Sequence, residues 1–302
     1  YEFARFEDIG KPNPAFFEED KKLLEEMKNT FLACPAAVKY IHSLKIPEEK
    51  IDEEIVKIYD FVTDLNYCKR CPGINMCQKA TPGLCTKIVY EDGVVSRELV
   101  PCKEYLKNVK FKSQFLVRDF PDEWLNSSFK TLDHTAVRKE ILESYKNYEK
   151  DLSQDWIYIM GEAGTGRTFV AATISLTAAR GEKGPIAFID TPSRFSELNT
   201  KKNDTAFFNS QMEKYLTVPI LVIDDLGNEY KNDFVRESIL TPILSQRAKK
   251  HLLTIITSDF DINDIALMYQ TSAASKPKAE QIKRILKRMC KKEFNLGDLS
   301  VY

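Results

Sequence analysis

The sequence predicts an α/β fold: a parallel sheet built around a phosphate-binding loop, preceded by a small helical zinc-binding domain. Three observations predict it. A buried-strand pattern, residues 157–160, runs into Gly161-Glu162-Ala163-Gly164-Thr165-Gly166-Arg167-Thr168 and then into an apolar helical stretch, 169–180. A second apolar run, 220–223, ends in Asp224-Asp225. Of the seven cysteines, five fall between Cys68 and Cys102.

The first observation points to a chemistry. Its spacing is that of a phosphate loop, with Arg167 where Lys is usual. Glycines let backbone N–H groups turn inward around an anion, and the helix that follows adds the positive end of its dipole. The candidate nucleotide-contacting residues are Gly161, Glu162, Ala163, Gly164, Thr165, Gly166, Arg167, Thr168 and Phe169, with the Thr168 hydroxyl placed for Mg²⁺. Lys meets the β- and γ-phosphates as a compact charge, whereas Arg is a planar fork of different reach. Nucleotide binding is therefore expected, and efficient hydrolysis is not. A glycine-rich strand-to-helix turn without a ligand is the plain alternative, and the second observation weighs against it. A carboxylate at the tip of a buried parallel strand reaches Mg²⁺ beside the phosphates. Asp224 takes that role, Asp225 polarises a water, and Glu229 is a reserve acid.

The cysteines come next. In a long, charged chain without a secretion signal, clustered cysteines favour metal over disulfides. Zinc takes four thiolate or nitrogen ligands, and Cys68-x-x-Cys71 supplies two from one turn. Cys68, Cys71, Cys85 and Cys102 are the expected zinc ligands, with Cys77 spare and a hairpin over 87–100 turning at Glu91-Asp92-Gly93. Unrelated buried thiols are the alternative. His42 and His134 are remote in sequence, and Cys34 and Cys290 read as ordinary thiols.

A length of 302 residues fits two domains at roughly 150 residues each. Net charge is −1, so any nucleic-acid surface must be local. No apolar run approaches the ~18 residues of a membrane span. The start, Tyr1-Glu2-Phe3-Ala4-Arg5, does not read as a signal peptide, and its lack of Met points to trimming. A cytoplasmic protein is expected. The domains divide as 1–106, helical and zinc-binding; 107–126, a linker; and 127–302, the ATPase domain.

Helices are expected over 15–32, with Phe16, Leu23, Leu24, Met27 and Phe31 as the apolar face, then 36–44 and 48–65. In the second domain, helix 135–151 precedes the loop strand. Strand 186–189, helices from 192 and 205, the Asp224 strand, helix 233–250 and strand 252–257 follow. Ser258-Asp259 ends that last strand, where a polar residue lies beside the γ-phosphate. Residues 271–279 read as polar and mobile. Helix 280–292 carries Lys283, Arg284, Lys287, Arg288, Lys291 and Lys292. Its readings are a solvated face, a phosphate contact through Arg288 or Arg284, or contact with a nucleic-acid backbone.

These motifs resemble the bacterial primosomal helicase loaders of the DnaI type, related to the DnaC loaders, in the AAA+ class of P-loop ATPases. The matching stretches are Ser-Ser-Phe-Lys-Thr-Leu-Asp at 127–133, the loop at 161–168, and residues 220–229, 235–247 and 254–261, with a weaker match at 283–289. The cysteine region resembles the zinc-binding amino-terminal domain of that loader. The resemblance implies an amino-terminal domain that docks on the replicative hexameric helicase. It also implies a carboxy-terminal domain that binds ATP, Mg²⁺ and single-stranded DNA, alongside other primosome proteins and with nucleotide-dependent self-assembly. It puts Asp259 at the sensor position, Arg288 at the second sensor arginine, and the adenine near Phe129 and Lys130. Three departures stand out: Arg167 for Lys, Asp259 for Asn, and Cys85 where the loader has His. An acid beside phosphate repels it, so the first two together point to weak hydrolysis. The arginine finger is left open, Arg236 and Arg247 being easily misread in that role.

Three functions compete. One is an ATP-dependent helicase loader, and the second a nucleotide-held primosome adaptor that hydrolyses little. The third is a transposon or phage ATPase of the same class, against which the cysteine domain argues.

Overall fold

The computed structural model describes residues 14–130, 132 and 135–297, with side chains of the first helix from residue 18. Phe16 of the expected apolar face, Thr131 and Asp133 of the 127–133 stretch, and His134 lie outside what is described. The chain divides into two compact units, Tyr1–Val109 and Lys110–Tyr302.

The first unit is helical with one hairpin. Helices α1 (Pro14–Leu32), α2 (Pro35–Ser43), α3 (Glu48–Glu53) and α4 (Ile55–Cys68) are followed by β1 (Leu84–Glu91) and β2 (Val94–Pro101). The stretch expected as one helix over 48–65 breaks at Glu54, whose φ of −105° and ψ of 21° leave the helical region. Its apolar positions still converge: Ile51, Ile55, Ile58 and Val62 pack with Phe31, Ala37 and Ile41. From the hairpin Ile88 and Val95 are buried in this core and Tyr90, two residues on from Ile88, packs against it, the period-2 signature of a sheet covered on one face. Asp92 and Gly93, with φ of 50° and 78°, make the tight turn between the strands, as expected of an Asp-Gly pair.

The second unit begins within α5 (Lys103–Ser113) and continues through β3 (Phe115–Arg118), α6 (Ala136–Glu149), β4 (Ile157–Met160), α7 (Arg167–Arg180), β5 (Ile186–Asp190), α8 (Thr191–Thr200), α9 (Thr205–Thr217) and β6 (Ile220–Asp224). After a π-helical turn, Val235–Leu240, come α10 (Thr241–Lys250), β7 (Leu253–Ser258), α11 (Ile262–Met268), α12 (Lys276–Met289) and β8 (Glu293–Asn295). The stretch 107–126, expected as a linker, is structured: it supplies the end of α5 and the edge strand β3. Aromatic packing holds that edge, with Phe115 and Phe120 edge-on and Phe120 edge-on to Phe188. Residues 276–279, expected to be mobile, form the first turn of α12.

Six strands form one sheet in the order β3-β5-β6-β7-β4-β8, every pair parallel. Alternate residues feed opposite cores. Tyr158, Ile189, Leu221, Ile223 and Ile256 face one, while Ile157, Ile159, Phe188, Val222 and Ile255 face the other. Helix α7 is buried on nearly all sides: small and apolar residues run all round it, and the hydroxyls of Thr173, Ser175 and Thr177 donate back to carbonyls four residues earlier. Strand β8 was not foreseen, since three residues show no period, yet Phe294 is buried there.

A guanidinium fastens one end of the sheet. Arg247 of α10 is fully buried. Its Nε donates to Thr254 Oγ1 at 2.9 Å, Nη1 to the carbonyls of Tyr215 and Val218, and Nη2 to that of Leu253. Replacing Arg247 by Leu leaves these carbonyls unpaired at the cost of a buried polar group each. We expect destabilisation of more than about 3 kcal/mol, measured by urea unfolding of the full chain.

Candidate functional site

The carboxyl ends of the parallel strands lie along one edge of the sheet, where open α/β sheets bind ligands. Between β4 and α7 runs the glycine loop. Gly161, Gly164 and Gly166 adopt φ of 153°, 85° and 85°. A Cβ at Gly161 would meet Thr165 Oγ1 at 3.0 Å and the Gly297 carbonyl at 3.1 Å, so the loop closes only without one. The loop is braced from three sides. Thr165 Oγ1 donates to the Glu162 carbonyl (2.8 Å), Arg138 of α6 donates to the Thr165 carbonyl (3.3 Å), and the Glu162 amide reaches the Gly297 carbonyl (3.4 Å). Helices α6, α8, α9 and α11 are capped by the side chains of Thr135, Asp190, Asp204 and Asp261, but α7 starts at Gly166 with no side-chain cap. Its first backbone N–H groups are thus left for an anion.

Asp224 ends β6, 5% exposed. The Thr257 hydroxyl donates to its Oδ1 at 2.6 Å and accepts from the Asp225 amide at 2.8 Å. Thr168, the loop residue expected at Mg²⁺, stands close enough to Asp224 to act on its carboxyl. Burial pushes the Asp224 carboxyl up to about 6, the two hydroxyls hold it down, and Asp225 and Asp190 add to the rise. A buried acid beside a hydroxyl at the head of the loop helix fits a divalent cation and the nucleotide it accompanies.

Arg167 lies between the loop and the strand tips, 8% exposed. Its Nη1 donates to the Gly161 carbonyl at 2.6 Å, and its Nη2 is 2.5 Å from Asp259 Oδ1 and 3.8 Å from Asp225 Oδ1. Asn228 bridges the same acids, donating to Asp225 Oδ1 (2.8 Å) and Asp259 Oδ2 (2.6 Å). The structure therefore gathers Gly161, Thr168, Arg167, Asp224, Asp225 and Asp259 at one edge. Phe169 faces the other way, packing edge-on to Trp124 at 5.2 Å with Phe129 in the same cluster. Arg288 is exposed and makes no hydrogen bond or ion pair with a described residue. Glu229 is buried and satisfied, accepting from the Gly227 amide (2.7 Å) and Tyr269 hydroxyl (2.5 Å), which makes it a structural acid. Arg236 and Arg247 are buried, which removes both as fingers presented to a neighbouring molecule. Thr257, Asn228 and Arg138 were not foreseen. The first two sit beside quoted acids, while Arg138 carried no signal in the sequence.

The cysteines need a correction. Among the described residues, no group of three or more His, Cys, Asp or Glu stands close enough to hold a metal ion. Cys68 and Cys85 stand instead beside a Lys79–Asp64 ion pair (2.5 Å). Burial raises the Cys68 and Cys85 thiols, and the Lys79 ammonium pulls against it.

A parallel sheet, a braced glycine loop and an acid–hydroxyl pair at the loop helix define an AAA+-like P-loop nucleotide-binding domain. The chain belongs to the IstB-like ATP-binding protein family, whose model matches residues 94–277, more than half of the sequence. It is similar to the replicative helicase loader DnaI of Bacillus subtilis (strain 168), 23% identical over 283 residues, 89% of each chain. A crystal structure of DnaI matches with a TM-score of 0.54 at 25% identity, over 61% of this chain and 97% of that one. A putative primosome component from Streptococcus pyogenes serotype M3 shares the fold, with a TM-score of 0.51 at 20% identity over 65% and 100%. No helix among the described residues is long and apolar enough to cross a membrane.

The Asp224 environment carries a pH prediction. A carboxyl raised to about 6 favours the fold while protonated, so this stability is present below about pH 4 and lost as pH rises through 6. Asp224→Asn should remove this slope, stabilise the nucleotide-free chain at pH 7 by about 2–3 kcal/mol, and abolish Mg²⁺-dependent nucleotide binding. Urea unfolding across pH 4–7 and nucleotide titration with and without Mg²⁺ check this.

Proposed function

We propose that this protein is a helicase loader: an ATP-binding factor that delivers a replicative DNA helicase onto DNA during replication initiation or restart. The observation that carries the reading is likeness to a named loader across 89% of both chains, so that both units are covered. The candidate site supplies the chemistry of such a switch. Backbone amides at the head of α7 hold phosphate, Thr168 and Asp224 hold Mg²⁺, and Asn228 and Thr257 fix the acids around them. When bound, Mg²⁺ neutralises phosphate charge and orders it for attack by water. Asp225 would polarise that water, and Arg167 holds both Asp225 and Asp259.

In this reading the amino-terminal unit docks on the helicase, and the exposed cations of α12 track a single strand. Of these, Lys287 is engaged with Glu293, and Lys292, just beyond the helix, with Glu140, which leaves exposed Arg284 and Arg288 of α12, half-buried Lys283, and Lys291 after the helix as the stronger candidates for phosphate contact. A structural zinc on Cys68, Cys71, Cys85 and Cys102 remains a proposal supported by donor chemistry. These four thiols influence one another through Cys68 and Cys85, and Cys77 is not among those partners. A second functional reading, the adaptor that hydrolyses little, is favoured by the ion pair that occupies Arg167. Cytoplasmic action and contact with other primosome proteins belong to both readings.

The tests are direct. The full chain should retain a hexameric replicative helicase through gel filtration, and failure to bind it overturns the loader reading. Elemental analysis should find one zinc per chain, lost in Cys85→Ser, and a metal-free protein refutes the zinc assignment. Wild type should turn over ATP slowly with Mg²⁺ and single-stranded DNA, and Arg167→Lys should change the rate by roughly tenfold or more if the arginine limits it. No change would make Arg167 an equivalent of lysine.

A further inference from the structure

The two departures at the phosphate end of the site are partners. Arg167 and Asp259 lie far apart in sequence, one opening α7 and the other following β7, and the sheet order places β7 directly beside the loop strand β4. Their side chains meet at 2.5 Å. Asp259 Oδ1 is shut off from solvent and receives no hydrogen bond, so the guanidinium is its whole compensation among the described residues. Asn228 fixes the other oxygen at 2.6 Å. Arg167 is held in turn from three directions, by Gly161, Asp259 and Asp225.

That arrangement bears on which nucleotide the loop prefers. The residue at position 167 is the cation that the β- and γ-phosphates share. Here one of its faces is taken by a carboxylate, held in place by an amide. A terminal phosphate arriving at Arg167 must displace Asp259 or stand against it, and three further acids, Asp190, Asp224 and Asp225, end or follow the neighbouring strands. A β-phosphate would meet less of this, because the uncapped start of α7 offers it backbone N–H groups besides the shared cation. We propose that Asp259 is a specificity-determining residue: it occupies on Arg167 the place of a γ-phosphate, so that a nucleoside diphosphate is the preferred occupant of the loop. This rests on the nucleotide-site reading above and adds which nucleotide the site prefers and why. Arg167 and Asp259 thus form a matched exchange. Each alone is a fault in a phosphate site, and together they neutralise one another.

The test is a binding series on the full chain with ADP and ATP, each with and without Mg²⁺, followed by isothermal titration calorimetry. Wild type should bind ADP at least about tenfold more tightly than ATP, since like charges brought together cost more than the 1.4 kcal/mol that factor represents. Asp259→Asn should bring the ratio to one or reverse it, by strengthening ATP rather than weakening ADP. Arg167→Lys alone should weaken both nucleotides, because a single ammonium cannot hold Asp259 and the loop together and leaves the Asp259 charge facing the loop. The double variant should bind ATP more tightly than either single variant. Thermal melting of each variant confirms that it folds, and the wild-type ratio stands as a test by itself. Equal wild-type affinities, or an unchanged ratio in Asp259→Asn, overturn the preference and leave the nucleotide site standing. If neither nucleotide binds wild type at millimolar concentration, the nucleotide-site reading falls, and the preference with it.

Discussion

A parallel sheet brings the carboxyl ends of all its strands to one edge, and in this chain that edge is acidic. Asp190, Asp224, Asp225 and Asp259 end or follow β5, β6 and β7. Carboxylates so placed repel one another, and the structure answers each locally. Asp190 turns away to cap α8 through the Ser193 amide. Asp224 is buried, takes a hydroxyl donor from Thr257 and has Thr168 close by. Asp225 and Asp259 share Arg167 and Asn228. One guanidinium therefore carries most of the neutralisation where the loop meets the strands. Its pinning to the Gly161 carbonyl ties that electrostatic role to the shape of the loop. A lysine has neither the second donor face nor the planar reach to satisfy a carbonyl and two acids together.

The same constraint separates what was legible in the sequence from what was not. The strand before the loop and the Asp224 strand are continuous apolar runs, and the strand before Asp259 is apolar but for its threonines, because buried parallel strands have no solvent face to alternate with. Helix α7 was legible as apolar, and its burial on all sides follows. The Asp-Gly turn of the hairpin was legible because only residues that tolerate positive φ can sit there. Pairing was not legible. Asp259 was read as an acid that repels phosphate, and only the strand order, with β7 next to β4, brings Arg167 against it. Arg138 gave no sign, since an arginine on an amphipathic helix reads as solvated until its neighbours are known.

Other differences share one cause, which is tertiary packing overriding weak local pattern. Residues 107–126 have no period, yet Phe115 and Phe120 find aromatic partners on the sheet and become its edge. Residues 293–295 are too few for a pattern, yet Phe294 fills the core beside β4 and the Leu296 amide closes on the Met160 carbonyl. Arg236 and Arg247 were chemically ambiguous. Five donors suit a neighbour's phosphate as well as a set of buried carbonyls, and the structure spends both on its own interior. In the cysteine cluster, the spacing gave the donor types but not Lys79, whose ammonium stands among the thiols with Asp64.

These features combine into a site prepared on one side and guarded on the other. The loop is braced by α6, by its own Thr165 and by the segment after β8, so its amides are set before a ligand arrives and less ordering is left for binding to offset. That favours whatever phosphate lies over the start of α7. Beyond it the surroundings change sign, and the cation that should welcome the next phosphate is already satisfied. Asp224 and Asp225 stand at the same tips, so negative charge brought there meets acids, and a cation that accompanies it offsets them. The site discriminates by the balance of charge at its far end more than by its grip on the near one.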